Sequence, residues 1–205
     1  MLESFLGKTV ATFLAHPDDE TLGCGATLSR AIEEGARVHC IIPVKHIEED
    51  CVKALDRLGV HNVHWGNFEN NQMDKYPLID VCKFAEEKLD YIKPDILIIH
   101  HYNFIHQDHW VCYEVGIIAT RFKEITVLSC EIPGSTGLGF EPNFYVKVQL
   151  ANATAKLHAL ECYKTEIKNF PHPCSPEYLE SLMNIRGSAI NSKFAEGFML
   201  IKGSV

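Results

Sequence analysis

The 205-residue sequence predicts an α/β fold: a mostly parallel sheet between two layers of helices, in a Rossmann-like three-layer arrangement. Two observations carry this expectation. Short apolar, β-branched runs alternate with longer amphipathic stretches in the order βαβαβαβαβ, the pattern of parallel strands joined by helical crossovers. Clusters of His and Asp follow the first and fourth of these runs, where open α/β sheets place their ligands. With 46% hydrophobic residues, a single domain over residues 1–205 has enough material for a real core, and two domains would be cramped.

The first strand is the run Val10 to Leu14, uncharged and rich in large or β-branched residues, hence a buried parallel strand that Pro17 ends. A helix from about Leu22 to Gly35, a strand Arg37 to Ile42 and a helix Ile47 to Leu58 follow. The acidic start of that second helix, Glu48-Glu49-Asp50, suits its dipole and a solvated face. A short strand Asn62 to Trp65 leads into a polar loop, Gly66 to Tyr76, then a helix Pro77 to Ile92 and the strand Asp95 to His100. The helix Asp108 to Arg121 and the strand Ile125 to Cys130 complete the alternating part. Beyond Pro133 a Gly-rich stretch, Gly134 to Gly139, leads to a strand Phe144 to Gln149 and helices near Ala151 to Tyr163 and Pro176 to Ile190. Because the first and fourth strands carry the two polar clusters, they are expected to be neighbours in the sheet.

The first cluster, Ala15-His16-Pro17-Asp18-Asp19-Glu20, puts one imidazole and three carboxylates into five residues at a strand end. So much negative charge needs a cation, and a divalent metal is the simplest. The second, His106-Gln107-Asp108-His109, sets two histidines three residues apart at a helix start, where they can face one way. One His and one Asp from the first loop plus one His from the second make an N,N,O ligand set of the kind that holds a catalytic zinc and leaves a position open. Acid remains to spare: Asp18 is free to act as a base toward the attacking water, and His106 as an acid.

At these residues the chain resembles the zinc-dependent de-N-acetylases of the PIG-L/LmbE-like superfamily, which includes the N-acetylglucosaminyl-phosphatidylinositol, mycothiol and bacillithiol deacetylases. The resemblance also takes in Thr21 to Thr27, Phe140 to Val146, Ala159 to Tyr163, Pro171-His172-Pro173, Arg186-Gly187 and Ala195 to Phe198. It implies that His16, Asp19 and His109 bind zinc (Zn2+), with another divalent ion such as Fe2+ as the alternative. It further implies that Asp18 is the general base, that His106 stabilises the oxyanion or protonates the leaving amine, and that Asp108 orients and charges His106. The implied substrate is a small N-acyl amino sugar or conjugate, most simply N-acetyl, with an N-formyl sugar as the variant.

Substrate contact is expected of Gln72, Asp74 and His172. Gln72 stands where similar chains carry arginine, so a neutral amide replaces a bidentate anion receptor. Cys174, Lys147 and Phe104 also depart from the usual pattern without touching the ligand set.

A formal net charge of −8 argues against nucleic acid or an anionic membrane surface as partner, and no apolar stretch is long enough to span a bilayer. Homo-oligomerisation stays open. The eight cysteines are scattered without a Cys-x-x-Cys pair, and several sit in strand-like runs as small apolar residues, which suits a reduced, cytoplasmic protein. His39, His46, His61, His64 and His158 read as surface or core residues, while His100 and His101 end the fourth strand near the metal loop, where contact with a metal ligand or with substrate stays open. A dinucleotide-binding reading of Gly23-Cys24-Gly25 fails on Leu28, which stands in place of the third glycine, and on the carboxylates just upstream. A non-catalytic binding module would retain a costly buried charge cluster for no purpose.

Overall fold

A computed structural model of the chain describes residues 4–136 and 139–203; Gly137 and Leu138 of the Gly-rich stretch lie outside them. The elements run β1 (Thr9–Phe13), α1 (Asp19–Glu33), β2 (Arg37–Val44), α2 (Glu48–Leu58), β3 (Asn62–Phe68), a 3-10 turn (Met73–Lys75), α3 (Leu78–Ile92), β4 (Ile96–Ile99), α4 (Gln107–Thr120), β5 (Thr126–Cys130), β6 (Phe144–Val148), α5 (Leu150–Leu160), α6 (Pro176–Ser188) and β7 (Phe194–Lys202).

They form one seven-stranded sheet in the order β3-β2-β1-β4-β5-β7-β6. β1 pairs in parallel with both β2 and β4, as their shared role in the site requires. The chain steps outward from β1 to β3, then crosses back to β4, so the strand order reverses between β1 and β4. A crevice opens at the carboxyl ends of these strands. One apolar cluster lies under α1, α2, α5 and α6, and a second under α3 and α4, which gives the expected three layers.

β7 departs from the sequence reading, which ends in helices. It inserts between β5 and β6 and runs antiparallel to both. Its first five residues are buried, among them Glu196, and a charge with an adjacent Gly197 in a buried run hides the strand's periodicity.

Glu196 is explained by α1. The helix starts at Asp19, earlier than Leu22, and breaks at Cys24 (φ −148°, ψ 16°). Lys156 of α5 donates its Nζ–H to the Leu22 carbonyl (2.8 Å), stranded by the break, while the Ala26 and Thr27 amides donate to the Glu196 carboxylate (3.2 and 2.7 Å). Lys156 and Glu196 also pair directly at 2.6 Å, both almost wholly buried. The ion pair thus caps the two helical ends that the kink creates. Gly23 permits the close approach of α1 to the sheet, since a Cβ there would lie 2.7 Å from Cys130 Sγ.

Candidate metal centre and cleft

The loop after β1 is held from several sides. The Ala15 amide donates to His100 Nε2 at the end of β4 (2.8 Å), and the His16 amide donates to Asp19 Oδ2 (2.8 Å). Asp18 adopts φ +104°, a region that L-residues rarely occupy, and its amide donates to Glu20 Oε2 (3.1 Å). Glu20 is wholly buried, and its other oxygen accepts from Tyr163 Oη (2.6 Å) and Thr21 Oγ1 (2.8 Å).

This scaffold brings three donor atoms together. His16 Nδ1 lies 3.1 Å from His109 Nε2 and 3.3 Å from Asp19 Oδ2, and His109 Nε2 lies 3.3 Å from the same oxygen. Two ligands about 2.0–2.1 Å from one tetrahedral ion stand roughly 3.3–3.4 Å apart, so the triangle fits a zinc-sized cation. Charge agrees. Burial works against a protonated His16, yet hydrogen bonds from its ring to Asp108 and Asp19 outweigh it and raise its pKa to about 10, the mark of a site that demands positive charge. Burial also works against the Asp19 carboxylate, but His109 beside it holds it ionised well below the usual range.

His106 and His100 each add a nitrogen near this triangle, in the groups His16, His106, His109 and Asp19, His100, His109. The His100 Nε2 lone pair is already taken by the Ala15 amide. Its ring stacks on His109 with centroids 4.0 Å apart, and burial, then His109, lower its pKa to about 3, so it is a neutral wall of the site. Phe104 closes that wall, edge-on to both rings at 4.9 Å. His106 Nδ1 accepts the Asp108 amide (3.2 Å) and its Nε2 meets Asn71 Oδ1 (2.8 Å), so the network puts the proton on Nε2. Burial, followed by His109 and His16, lowers its pKa and keeps the ring neutral.

Asp108 does not turn its carboxylate to His106, the role the sequence suggests. Its Oδ2 meets His16 Nε2 at 3.0 Å and the Asn71 amide at 2.8 Å, and Oδ1 accepts from the Met73 amide. With Nε2 tied to Asp108, Nδ1 is the nitrogen left to the triangle, where an ion would take the place of its proton.

A cavity of about 270 Å3 opens beside these atoms, lined by His16, Asp18, Asp19, His106 and His109 and by further side chains from five connections. Burial, then the charges of Asp19 and Glu20, push the Asp18 pKa well above the usual carboxylate range. Gln72, Asp74 and His172 are not among the lining residues. Gln72 pairs with Lys75, Asp74 accepts from Gln107, and His172 is exposed, its Nδ1 accepting from the Cys174 amide. Asn70, Asn71, His46, Glu166 and Cys174 line the cavity instead. Asn71, at φ +59°, brings its Oδ1 to His106 at the cavity wall. His46 follows β2 at the same carboxyl edge, a position that could have marked it; Glu166 and Cys174 carry no local signal.

Residues 11–120 match the family described as PIG-L, GlcNAc-PI de-N-acetylase. The chain is 30% identical over 172 residues to the uncharacterized deacetylase YaiS of Escherichia coli (strain K12), covering 77% of this chain and 91% of that one. Among solved structures it is similar to N,N'-diacetylchitobiose deacetylase of Pyrococcus horikoshii (TM-score 0.78, 17% identity, 95% of this chain and 84% of that one). It is also similar to GalB, the 4-carboxy-2-hydroxymuconate hydratase of Pseudomonas putida KT2440 (TM-score 0.76, 14% identity, 97% and 98%). At these identities the structural likenesses establish the fold.

Proposed function

The chain belongs to the PIG-L family of GlcNAc-PI de-N-acetylases, and on that premise we propose that it is a metal-dependent amidohydrolase that removes an N-acyl group, foremost acetyl, from an amino sugar. The observation that carries this reading is the triangle of His16 Nδ1, Asp19 Oδ2 and His109 Nε2 at the wall of a cavity that also holds Asp18. These three residues would hold the ion, zinc by its N,N,O donor set, which supplies Lewis acidity toward water and carbonyl oxygen.

The remaining chemistry falls to side chains. Asp18, its pKa raised by burial and then by Asp19 and Glu20, is the stronger base for it and takes a proton from the attacking water. The C–N bond of the amide breaks, Asp18 returns the proton to the departing nitrogen, which leaves as the amine, and the acyl group leaves as its carboxylic acid, whose proton passes to the amine at neutral pH. His106 holds a proton at Nε2 and donates it as a hydrogen bond to the developing oxyanion. Asp108 acts through His16 by fixing its tautomer. Eight free cysteines, six of them buried, suit a reducing compartment, and no described helix is long and apolar enough to cross a membrane.

The test is a set of N-acetyl and N-formyl amino sugars incubated with zinc-loaded and metal-stripped protein. Released amine is followed with an amine-reactive dye, and acetate or formate by proton NMR. Amine and acetate should appear with the loaded protein only. Formate alone makes it a deformylase, and no acid from any sugar overturns the reading and leaves hydration or binding as the rival. Asp18→Asn should keep its zinc and lose about 10²- to 10⁴-fold in turnover.

A further inference from the structure

We propose that the cleft selects an N-acyl sugar that also carries a protonated amine, and that Glu166 is the residue that reads that second charge. This rests on the amidohydrolase reading and names its substrate class.

The cavity wall holds three carboxylates, Asp18, Asp19 and Glu166, and no lysine or arginine is among its lining residues. Lys168, whose charge is felt at Cys174, turns its ammonium to the Thr165 carbonyl (2.6 Å). Asp19 belongs to the ion site, and Asp18 is given over to proton transfer. Glu166 comes from the α5–α6 connection and has neither task. Its Oε1 accepts from Thr165 Oγ1 (3.0 Å), and no Lys or Arg pairs with it among the described residues. Its charge is felt at the Cys174 thiol, which shares the same wall. An unpaired carboxylate facing a small cavity repels phosphate or carboxylate groups and attracts ammonium. The rest of the rim, Asn70, Asn71 and Ser135, offers neutral partners for hydroxyls.

The experiment compares kcat/KM for three sugars at a pH where a sugar amine is protonated. Mono-N-acetylated chitobiose carries one free amine, N,N'-diacetylchitobiose is neutral, and N-acetylglucosamine 6-phosphate is anionic. The expected order is amine, neutral, phosphate. Glu166→Gln should lower the amine-to-neutral ratio about fivefold, as loss of one partly exposed ion pair does. Glu166→Lys should reverse the order of the amine and phosphate sugars. Calorimetry on zinc-loaded protein supplies a readout independent of turnover: Glu166→Gln should weaken chitobiosamine and leave cellobiose unaffected. A ratio and a chitobiosamine affinity that are both unchanged in Glu166→Gln overturn the inference. If no sugar releases acid, the amidohydrolase reading falls, and calorimetry still decides the charge preference.

Discussion

Asp108 Oδ2 stands 3.0 Å from His16 Nε2, joining the first turn of α4 to the β1–α1 loop across 92 residues of sequence. The bond makes His16 Nε2 the donor to Asp108 and leaves Nδ1 facing Asp19 and His109, so a residue outside the proposed ligand triangle favours the tautomer that an ion there would need. Asp108→Asn keeps the shape but offers an amide that can donate to Nε2 and favour the opposite tautomer. Its zinc affinity, from competition with a chromophoric chelator, should fall about 10- to 100-fold, with secondary structure unchanged. Wild-type affinity would show that the tautomer is set elsewhere.

The proposed ligand set has three members and leaves no redundancy. His16→Ala, Asp19→Ala and His109→Ala should each purify without stoichiometric zinc by plasma mass spectrometry, whereas His106→Ala should retain it. His106→Ala should instead lose about 10²- to 10³-fold in kcat with little change in KM, the effect of removing one oxyanion donor. Zinc lost on changing His106 and kept on changing Asp19 would exchange their roles.

That β1 and β4 are neighbours and that both polar clusters follow their ends was legible because the two strands are uncharged, buried runs, and a parallel sheet leaves few places for the loops that follow them. What escaped depends on long-range contacts. Glu196 in β7 and the break at Cys24 explain each other only once Lys156 is placed between them. Asn71 rather than Gln72 faces the cleft because one left-handed residue sets the direction of the loop. Glu20 counts as surplus acid until Tyr163, 143 residues away, is seen to hold it.

The pair of Lys156 and Glu196 is a stability device, and removing one member strands the other in the core. Glu196→Ala leaves a buried ammonium and two α1 amides without acceptors and should cost about 3–5 kcal/mol. That lowers Tm by on the order of 10 °C for a chain of this size. Lys156→Met with Glu196→Leu removes both charges and should recover part of the loss in urea unfolding. A single variant within about 1 kcal/mol of wild type would mean that water reaches the site.

Cys174 reports the acidity of the cleft directly. Burial raises its thiol pKa to about 11, helped by the charges of Asp18 and Glu166. The raised value favours the protonated, unreactive form: an ordinary thiol is a few per cent ionised at pH 7, and one with a pKa near 11 about 0.01%. Alkylation of Cys174 by iodoacetamide, followed by peptide mass spectrometry, should therefore be slow at pH 7. It should rise about tenfold per pH unit and level off only near pH 11, whereas a plateau near pH 8.5 would show a cleft that is neither dry nor acidic. Glu166→Gln should move the plateau to lower pH by removing one of the charges that raise it. Because the thiol lines a cavity of about 270 Å3, the adduct should also block turnover, and Cys174→Ser should stay active under the same treatment.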